Sequence, residues 1–375
     1  MDIYVYDCPD IFTVELIGVL DSYKSINYTM KFQNCGSWSI KGLYTPESSE
    51  LLKAGRFIYI NPKVVGYITS ITYDVDTKGN MTYTANGRES KFILNNRIVW
   101  NTYSHNLPLN EWIYSLVQEN AAEGCIDSKR QLCGMIPPQT LKCGAIDKQV
   151  SYKSLLDTVN TVLENAQTSN GLALGYEMQF HPEYSGDKAH RPIFWMNLLE
   201  GQDRTYNSKE PFLVAREMNN VSTLSLSNSI KGSTNFILAA GEDKGDTRKL
   251  ATAGDNTLSG LKRNEGFTDC RDLQSEYTDA SGNKKTLSDA EYTKLLEQEA
   301  KDAIVKDTFS LTAESVVTTE QAIELLGAKV TVVDKTFGVR TEDFVTEVNV
   351  IDEADGGLTT LTVGKGVDAQ KLIIQ

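Results

Sequence analysis

Two segments near opposite ends of this 375-residue chain share one pattern of strands and turns. The first, YITSITYDVDTKGNMTYTANGR, covers residues 67–88, and the second, VTEVNVIDEADGGLTTLTVGKG, covers residues 345–366. Each alternates β-branched or aromatic residues with polar ones on both sides of a turn rich in Asp and Gly, which is typical of a β-hairpin. The pattern predicts antiparallel sheet at both ends of the chain.

The similarity extends upstream of each hairpin. A pair of leucines and a glycine precede the strand before it, at Leu51, Leu52 and Gly55 in the first segment and at residues 325–327 in the second. We therefore predict that residues 56–85 and 330–363 superpose as equivalent strands of two similar barrels. The alternative is coincidence, because antiparallel meanders look alike over so few residues.

The chain divides into four predicted regions. Residues 1–105 are predicted to form an N-terminal β-barrel, because seven β-rich runs follow one another without a long helix. These runs are residues 3–6, 14–20, 25–32, 38–40, 56–60, 65–73 and 81–85. Residues 106–255 predict a helical connection and an α+β middle domain, with strands at 175–180, 193–199, 223–231 and 236–240.

Helix signals define the remaining boundaries. Asn110 and Ser151 are predicted to cap the two helices of the middle domain. Residues 256–307 are predicted to be an insert, with an exposed loop over 252–267 and a helix that opens on the capping box at Ser288 and Glu291. Residues 308–375 return to strands that complete a second barrel. The predicted fold class is mainly β, with two small β-barrels plus an α+β middle domain.

The charge of the chain excludes one class of function. Its formal net charge is −13 and its pI is near 4.9, whereas surfaces that bind nucleic-acid phosphates need clustered Lys and Arg. No stretch approaches the roughly 20 apolar residues of a membrane span, and no signal-peptide pattern opens the chain. The six cysteines are not arranged as CxxC, which predicts reduced thiols.

Several longer runs resemble a known family. The run IGVLDSYKSINYTMKFQNCGSWSIKG, followed by LLKAGRFIYI, GYITSITY and GRESKFILNNRIV, is similar to the siphophage Gp37-like tail proteins, relatives of the central baseplate hub of phage tails. Further similar runs are EGQDRT, NSIKGSTNFILAAGEDKGDTRKL and the closing LLGAKVTVV. The resemblance covers most of the chain in matching order, although residues 124–144 have no counterpart in it.

The resemblance implies a function and a set of partners. It implies a homotrimer in which each subunit supplies two tail-hub-type barrels, so that six barrels match a hexameric tail tube. The expected role is a structural hub that closes the tube, connects it to the host-recognition apparatus and forms a gated channel for DNA ejection. Expected partners are the distal tail protein, the tube hexamer, the tape measure protein, and receptor-binding or tail fibre proteins. The expected place is the virion tail tip, after assembly in the bacterial host cytoplasm.

The acidity of the chain adds an expectation about that channel. DNA should pass through without specific binding, so acidic residues should outnumber basic ones along the lumen. Five basic residues should lie outside it, namely Lys244, Arg248, Lys249, Lys262 and Arg263.

Two clusters are candidate metal sites. His181 and His190 flank Glu183 and Asp187, but their spacing matches no standard metal motif. Cys125, Cys133 and Cys143 are spaced by eight and ten residues, whereas structural zinc sites bring their ligands in close pairs. Neither cluster is predicted to bind a metal.

The remaining candidates concern catalysis or nucleotides. Gly364, Lys365 and Gly366 lack the earlier glycine of a phosphate loop, and His105 has no partner that the sequence identifies. The acidic pairs at residues 342–343 and 352–353 resemble the carboxylates of glycosidases but are predicted to lie in solvated loops. We therefore expect a protein that is not an enzyme, with no catalytic, cofactor-binding or metal-binding residue.

Two other functions are kept as alternatives. One is a tail-associated cell-wall hydrolase, which a turbidity assay on host cell walls would detect. The other is a carbohydrate-binding module for host recognition, which the 17 Tyr and 4 Trp weakly favour and a glycan array would detect.

Overall fold

The computed structural model describes residues 2–138, 140–164, 166–243, 245–279, 282–305, 308–315, 318–336, 338–353 and 356–364. Within these ranges the chain is mainly β, with a few α-helices, as predicted. Among the described residues, none of the helices is both long enough and apolar enough to span a membrane.

The first hundred residues contain all seven strands that the sequence predicts, and they form what we call unit 1. A short helix that the sequence analysis missed lies between the fourth and fifth strands. The elements are β1 (Ile3–Asp7), β2 (Glu15–Leu20), β3 (Ser25–Lys31), β4 (Ser37–Leu43), α1 (Pro46–Leu51), β5 (Phe57–Asn61), β6 (Val64–Val75) and β7 (Met81–Glu89).

A middle body follows unit 1 and combines helices with short sheets. Its elements are β8 (Tyr103–Pro108), α2 (Leu109–Ala121), β9 (Gly134–Met135), β10 (Ala145–Val150), α3 (Leu155–Leu163), β11 (Leu174–Phe180) and β12 (Phe194–Glu200). Both helices begin at other residues than predicted. Asn110 is not a cap, because α2 starts one residue before it. The Asn110 side-chain amide instead donates to the Leu141 carbonyl at 3.2 Å. Ser154, in place of Ser151, caps α3 by accepting from the Asp157 amide at 3.2 Å.

The rest of the chain forms a second set of strands, unit 2, which an insert interrupts. Unit 2 begins with β13 (Asp203–Arg204), β14 (Leu213–Val214) and β15 (Val221–Ser229). The insert, between β15 and the next strand of unit 2, contains β16 (Phe236–Ala240), β17 (Leu250–Gly254), β18 (Glu265–Asp269), β19 (Glu276–Thr278), β20 (Lys284–Thr286) and α4 (Asp289–Asp302). Unit 2 then resumes with β21 (Thr308–Ser315), α5 (Thr319–Glu324), β22 (Lys329–Asp334), β23 (Val339–Glu353) and β24 (Gly356–Val363).

The two units have the same strand order. In unit 1 the order is β3-β4-β7-β6-β5-β1-β2, and in unit 2 it is β15-β21-β24-β23-β22, with β13 and β14 on the far side of β22. The units join where β23 pairs with β3, which makes one 14-stranded sheet. The match differs at one edge, because β1 runs antiparallel to β5 whereas β13 and β14 run parallel to β22.

A β-bulge occurs at the same place in both units. In unit 1 Thr69 is the extra residue between Ile68 and Ser70, and in unit 2 Thr346 is the extra residue between its neighbours in β23. Each threonine hydroxyl donates to a carbonyl of the next strand, Thr69 to Asn86 at 3.1 Å and Thr346 to Thr362 at 3.3 Å. The same side chain therefore supports the same distortion twice.

The segment before each unit's central hairpin is also repeated. Thr45 and Thr318 close capping boxes at the starts of α1 and α5. Gly55 and Gly327 follow the helices with φ of +94° and +84°, a region that favours glycine. Their amides donate to Ile68 and Val345 at 2.9 and 2.8 Å, in each case the residue before the bulge. Contacts so closely matched support the predicted repeat.

The described residues form three hydrophobic cores. One is shared by units 1 and 2, and includes Ile26 and Ile40 of the first and Val348 and Leu361 of the second. The second lies in the middle body around Trp112, and the third holds α4 against the sheet of the insert.

The strand order bears on the predicted regions. β15 was expected in the middle domain but belongs to the long sheet, and the supposed loop over 252–267 contains the ends of β17 and β18. Among the described residues the long sheet is open, with β15 and β2 at its ends. The two closed barrels and the boundaries at 105, 255 and 307 therefore stay predictions.

Candidate functional site

A broad polar surface covers one side of the long sheet, and we call it the polar face. Successive residues of a strand point to opposite sides, so every second residue shares a face. In β3 the residues Ile26, Tyr28 and Met30 are buried, while Asn27 and Thr29 between them remain accessible. Pairing registers extend the accessible side across the neighbouring strands of both units.

The polar face is rich in hydroxyl and amide side chains. Among residues with described side chains it comprises Ser25, Asn27, Thr29, Lys31, Ser37, Ser39, Lys41, Leu43, Ser70, Thr72, Asp74, Thr82, Thr84, Asn86, Arg88, Thr223, Ser225, Ser227, Glu347, Asn349, Ile351, Glu353, Leu358, Thr360 and Thr362. Short neutral side chains of this kind hydrogen-bond water without carrying charge.

Among the described side chains of this face, acidic and basic residues are equal in number. The three basic residues are Lys31, Lys41 and Arg88, and the three acidic ones are Asp74, Glu347 and Glu353. Two of the six neutralise each other, because the Lys31 Nζ lies 3.0 Å from Glu347 across the seam between the units. At the same seam the Thr29 hydroxyl donates to the Asn349 side-chain oxygen at 3.1 Å. The described side chains of the polar face are thus balanced in charge, and the face is continuous from one unit to the other.

The sequence analysis did not identify the polar face. Its signal was present in runs such as SINYTMK of β3, where Ser, Asn and Thr alternate with residues of the core. The alternation was used to predict strands, but the pairing of distant strands was needed to show that their polar sides form one surface.

The members of the histidine–carboxylate cluster make separate contacts in the structure. His181 Nδ1 lies 2.8 Å from Glu183, and its ring stacks on Tyr184 with centroids 4.6 Å apart. His190 instead packs edge-on against Phe12, and Asp187 pairs with Arg191. Among the described residues no group of three His, Cys, Asp or Glu side chains is arranged to hold a metal ion.

The three loop cysteines have different burial and different neighbours. Cys133 is buried, and burial raises the pKa of its thiol to about 12, which keeps it protonated. Cys125 is half-buried and donates to the Asp127 carbonyl at 3.1 Å, and Cys143 is half-buried elsewhere in the same core. Neutral thiols in these positions are poor nucleophiles and poor metal ligands.

The acidic pairs were placed wrongly. Residues 342–343 and 352–353 lie within β23 and not in loops, so the members of each pair project to opposite sides of the sheet. His105 lies in β8 with its ring 4.5 Å from that of Tyr103, and burial lowers its pKa. Gly364 follows the end of β24, as expected, whereas Lys365 and Gly366 lie outside the described residues.

A cleft of about 1010 Å³ lies beside unit 1, the middle body and α5. One charged residue of its lining is Lys91, which is buried, donates to the Asn34 carbonyl at 3.1 Å and lies 3.6 Å from Glu89. The Lys91 Nζ is also 4.8 Å from the centre of the Tyr176 ring. Asn34 and Glu89 belong to unit 1 and Tyr176 to β11, so Lys91 links unit 1 to the middle body through its contact with the Tyr176 ring.

Comparison with solved structures relates the fold to phage tails. The prophage MuSo2 43 kDa tail protein from Shewanella oneidensis matches with a TM-score of 0.52 at 12% identity, over 97% of this chain and 98% of that one. A tail protein from Neisseria meningitidis MC58 matches with a TM-score of 0.49 at 14% identity, over 97% and 96% of the two chains. The Listeria monocytogenes prophage tail protein gp18 matches with a TM-score of 0.46 at 12% identity, over 98% of this chain and 96% of that one.

Of these likenesses, the one to the MuSo2 protein is close enough to indicate a shared fold. No curated protein matches the chain. The family model described as Siphovirus ReqiPepy6 Gp37-like protein matches residues 2–365.

The family match relates the chain to siphovirus proteins, and its fold is shared with a phage tail protein. The chain belongs to the Siphovirus ReqiPepy6 Gp37-like family.

Proposed function

We propose that this tail protein is the hub of a siphophage tail tip, and that it closes the tail tube and connects it to the host-recognition apparatus. The observation that carries the proposal is the repeat. Two units with one strand order and one bulge geometry are joined edge to edge in a single sheet. A chain built from two similar units suits a place where a tube of six subunits meets a tip of lower symmetry.

Three copies would present six such units in a ring. Closed cyclic assemblies bury the same patches on every subunit, which makes a homotrimer the economical match to six-fold symmetry. In that ring each unit completes a barrel-like sheet with its neighbours. The partners are the tube hexamer, the distal tail protein, the tape measure protein, and receptor-binding or fibre proteins. Assembly takes place in the host cytoplasm before the hub occupies the tail tip.

The polar face is the surface proposed to line a gated passage for DNA. It lacks the clustered Lys and Arg that release counterions from phosphate, so duplex DNA gains little by adhering to it. The described side chains of this wall are balanced in charge and rich in hydroxyls, whereas the sequence predicts an acidic lumen. An acidic excess elsewhere along the channel remains a prediction.

The basic residues expected outside the lumen lie in the insert. Arg248 pairs with Asp269 at 2.7 Å, Lys249 with Asp289 at 2.5 Å and Arg263 with Glu265 at 2.6 Å. Lys262 is in the same region, and Lys244 lies outside the described residues. None of the four described residues is on the polar face.

The mass of the full chain in solution tests the proposal. Light scattering at increasing concentration should show trimers. Only monomers at high concentration, together with a tail map that lacks three-fold density at the tip, would contradict the hub. A map of the tip that places the polar face away from the axial channel would contradict the passage alone.

A further inference from the structure

One strand edge of unit 2 is paired where its counterpart in unit 1 is not. β23 pairs with β22 through residues 339–344 and then, along the same edge, with β3 through residues 347–353. In unit 1, β6 pairs with β5 only through residues 64–67. Among the described residues no strand pairs with the continuation of that edge, residues 70–75.

The bulges fix which residues correspond. Since Thr69 matches Thr346, Ser70 of β6 corresponds to Glu347 of β23, and Val75 corresponds to Asp352. Tyr73 and Val75 are 42% and 63% exposed, whereas Val350, the counterpart of Tyr73, is 4% exposed and pairs with Tyr28 of β3. A long strand edge with exposed apolar residues favours pairing with another strand.

The strand that covers this edge in unit 2 is β3, and the strand of unit 2 equivalent to β3 is β15. β3 takes the place in unit 1 that β15 takes in unit 2, since β3 precedes β4 and β15 precedes β21 in the same sheet order. β3 pairs on both edges, with β4 and β23, whereas in the described part of the chain β15 pairs with β21 alone. Following the registers through the two sheets, Ser25 corresponds to Thr223 and Thr29 corresponds to Ser227.

We propose that residues 70–75 of β6 in one copy pair antiparallel with β15 of the next copy, in the register that β23 and β3 use within one chain. That register places Thr72 opposite Ser227 and Asp74 opposite Ser225. The ring of copies rests on the proposed hub function, and the pairing names the contact that closes it.

The chemistry of the two edges is compatible. Asp74 meets a serine and not another carboxylate, so like charges do not oppose each other across the pair. Thr72 and Ser227 both belong to the polar face, as Asn349 and Thr29 do in the pair that serves as template. The pairing therefore carries the polar face from one copy to the next without interruption.

The two edges suit a head-to-tail contact. Each copy offers one edge of each kind, and such heterologous contacts form a ring when the rotation closes. Within one chain the same contact would close the eight strands from β15 to β6 upon themselves. In the structure that sheet is open between them. A second copy is therefore the occupant that we propose.

Cysteine pairs test the register in the full-length chain. Thr72→Cys/Ser227→Cys should give covalent multimers under mild oxidation, because directly opposed residues in an antiparallel sheet come close enough for a disulfide. Asp74→Cys/Ser225→Cys, a second pair in the same register, should do the same. Thr72→Cys/Thr223→Cys is the matched control, since it is out of register by four residues and should cross-link no more than either single variant.

Each outcome has one meaning. Multimers from both in-register pairs, and not from the control, support the pairing. A trimeric mass without in-register cross-links overturns the pairing and leaves the hub proposal standing. A monomeric mass without cross-links overturns both proposals. A disulfide that forms within a single chain shows that β15 closes on its own β6, and so overturns the contact between copies.

Discussion

At the scale of single residues, Trp38 shows how glycine positions shape the sheet. Its ring lies across β6 and β7, and its indole nitrogen donates to the Arg88 carbonyl at 3.1 Å. A Cβ atom at Gly66 would lie 2.1 Å from that nitrogen, and one at Gly87 would lie 2.2 Å from the Tyr67 carbonyl oxygen. Both strands lack a side chain where the tryptophan packs.

Gly87→Ala should therefore destabilise unit 1. The added methyl group meets a backbone oxygen that cannot rotate away, so the free energy of unfolding should fall by about 1–3 kcal/mol. Urea unfolding followed by tryptophan fluorescence measures the loss. Gly144→Ala is the control, because no atom lies within 4 Å of its added Cβ, and its stability should be unchanged. Equal stability of the two variants would contradict this account of Trp38.

The sequence did not reveal these glycines, for a physical reason. The strands around them were predicted from alternation, which reports the side chains that are present. The need for an absent side chain arises only when Trp38 of a neighbouring strand approaches, and that approach depends on pairing between strands. Closeness in sequence was misleading at the candidate metal site, since His181 and His190 are only nine residues apart yet make separate contacts.

At the scale of elements, a buried lysine fastens helix α4 to the middle body. Lys148 of β10 lies 2.9 Å from Glu299 and 2.7 Å from Asp302, and only 9% of its side chain is exposed. Burial alone lowers the pKa of Lys148, but the two carboxylates outweigh it and raise the pKa above the ordinary lysine value.

Lys148→Met should weaken this attachment by about 1–3 kcal/mol at pH 7, because it removes charged hydrogen bonds and leaves two carboxylates together. A raised pKa in the folded state means that the stabilisation is fully present below the ordinary lysine pKa of about 10.4 and is lost as the pH rises through the folded value. The difference between wild type and variant in urea unfolding should therefore shrink in strong alkali.

An exposed lysine provides the control for that measurement. Lys153 pairs with Asp272 at 2.8 Å, but 55% of its side chain is exposed. Lys153→Met should change the stability by less than about 1 kcal/mol at any pH. A Lys148→Met effect that stays constant through the alkaline range would show that its loss of packing, and not its charge, matters.

Most elements could be predicted from the sequence, but their partners could not. The strands of unit 1 follow from β-branched and aromatic alternation, and α4 follows from its capping box at Ser288. Helix α1 is only six residues long and was missed, because so short a segment carries little periodicity. β15 was assigned to the middle domain because its partner, β21, lies beyond the whole insert.

At the scale of the whole molecule, two hairpins in the sequence predict a repeat. The structure supports it with a shared strand order, which a chance similarity of two hairpins would not produce. The shared bulge at Thr69 and Thr346 involves hydrogen bonds that a sequence pattern cannot show. The balanced charge of the polar face was not foreseen either. The net charge of the chain sums over all of its surfaces, whereas the charge of one face depends on which strands pair to form it.

The insert separates two strands that must pair. β3 and β4 are joined by residues 32–36, whereas β15 and β21 are joined by residues 230–307. Closing the longer connection costs roughly 2 kcal/mol more if it is treated as a flexible loop. We predict that unit 1 folds first, because non-local pairing slows folding. Pulsed hydrogen exchange during refolding should protect the amides of β3 and β4 before those of β15 and β21, and simultaneous protection would contradict this order.

The same connection is predicted to delay assembly. In the predicted folding order β15 pairs last, and its outer edge is the one proposed to receive the next copy. A half-folded chain therefore offers only the β6 edge, and two such copies cannot pair with each other. On this account a ring closes only once the insert has folded and β21 has returned to β15 in every copy.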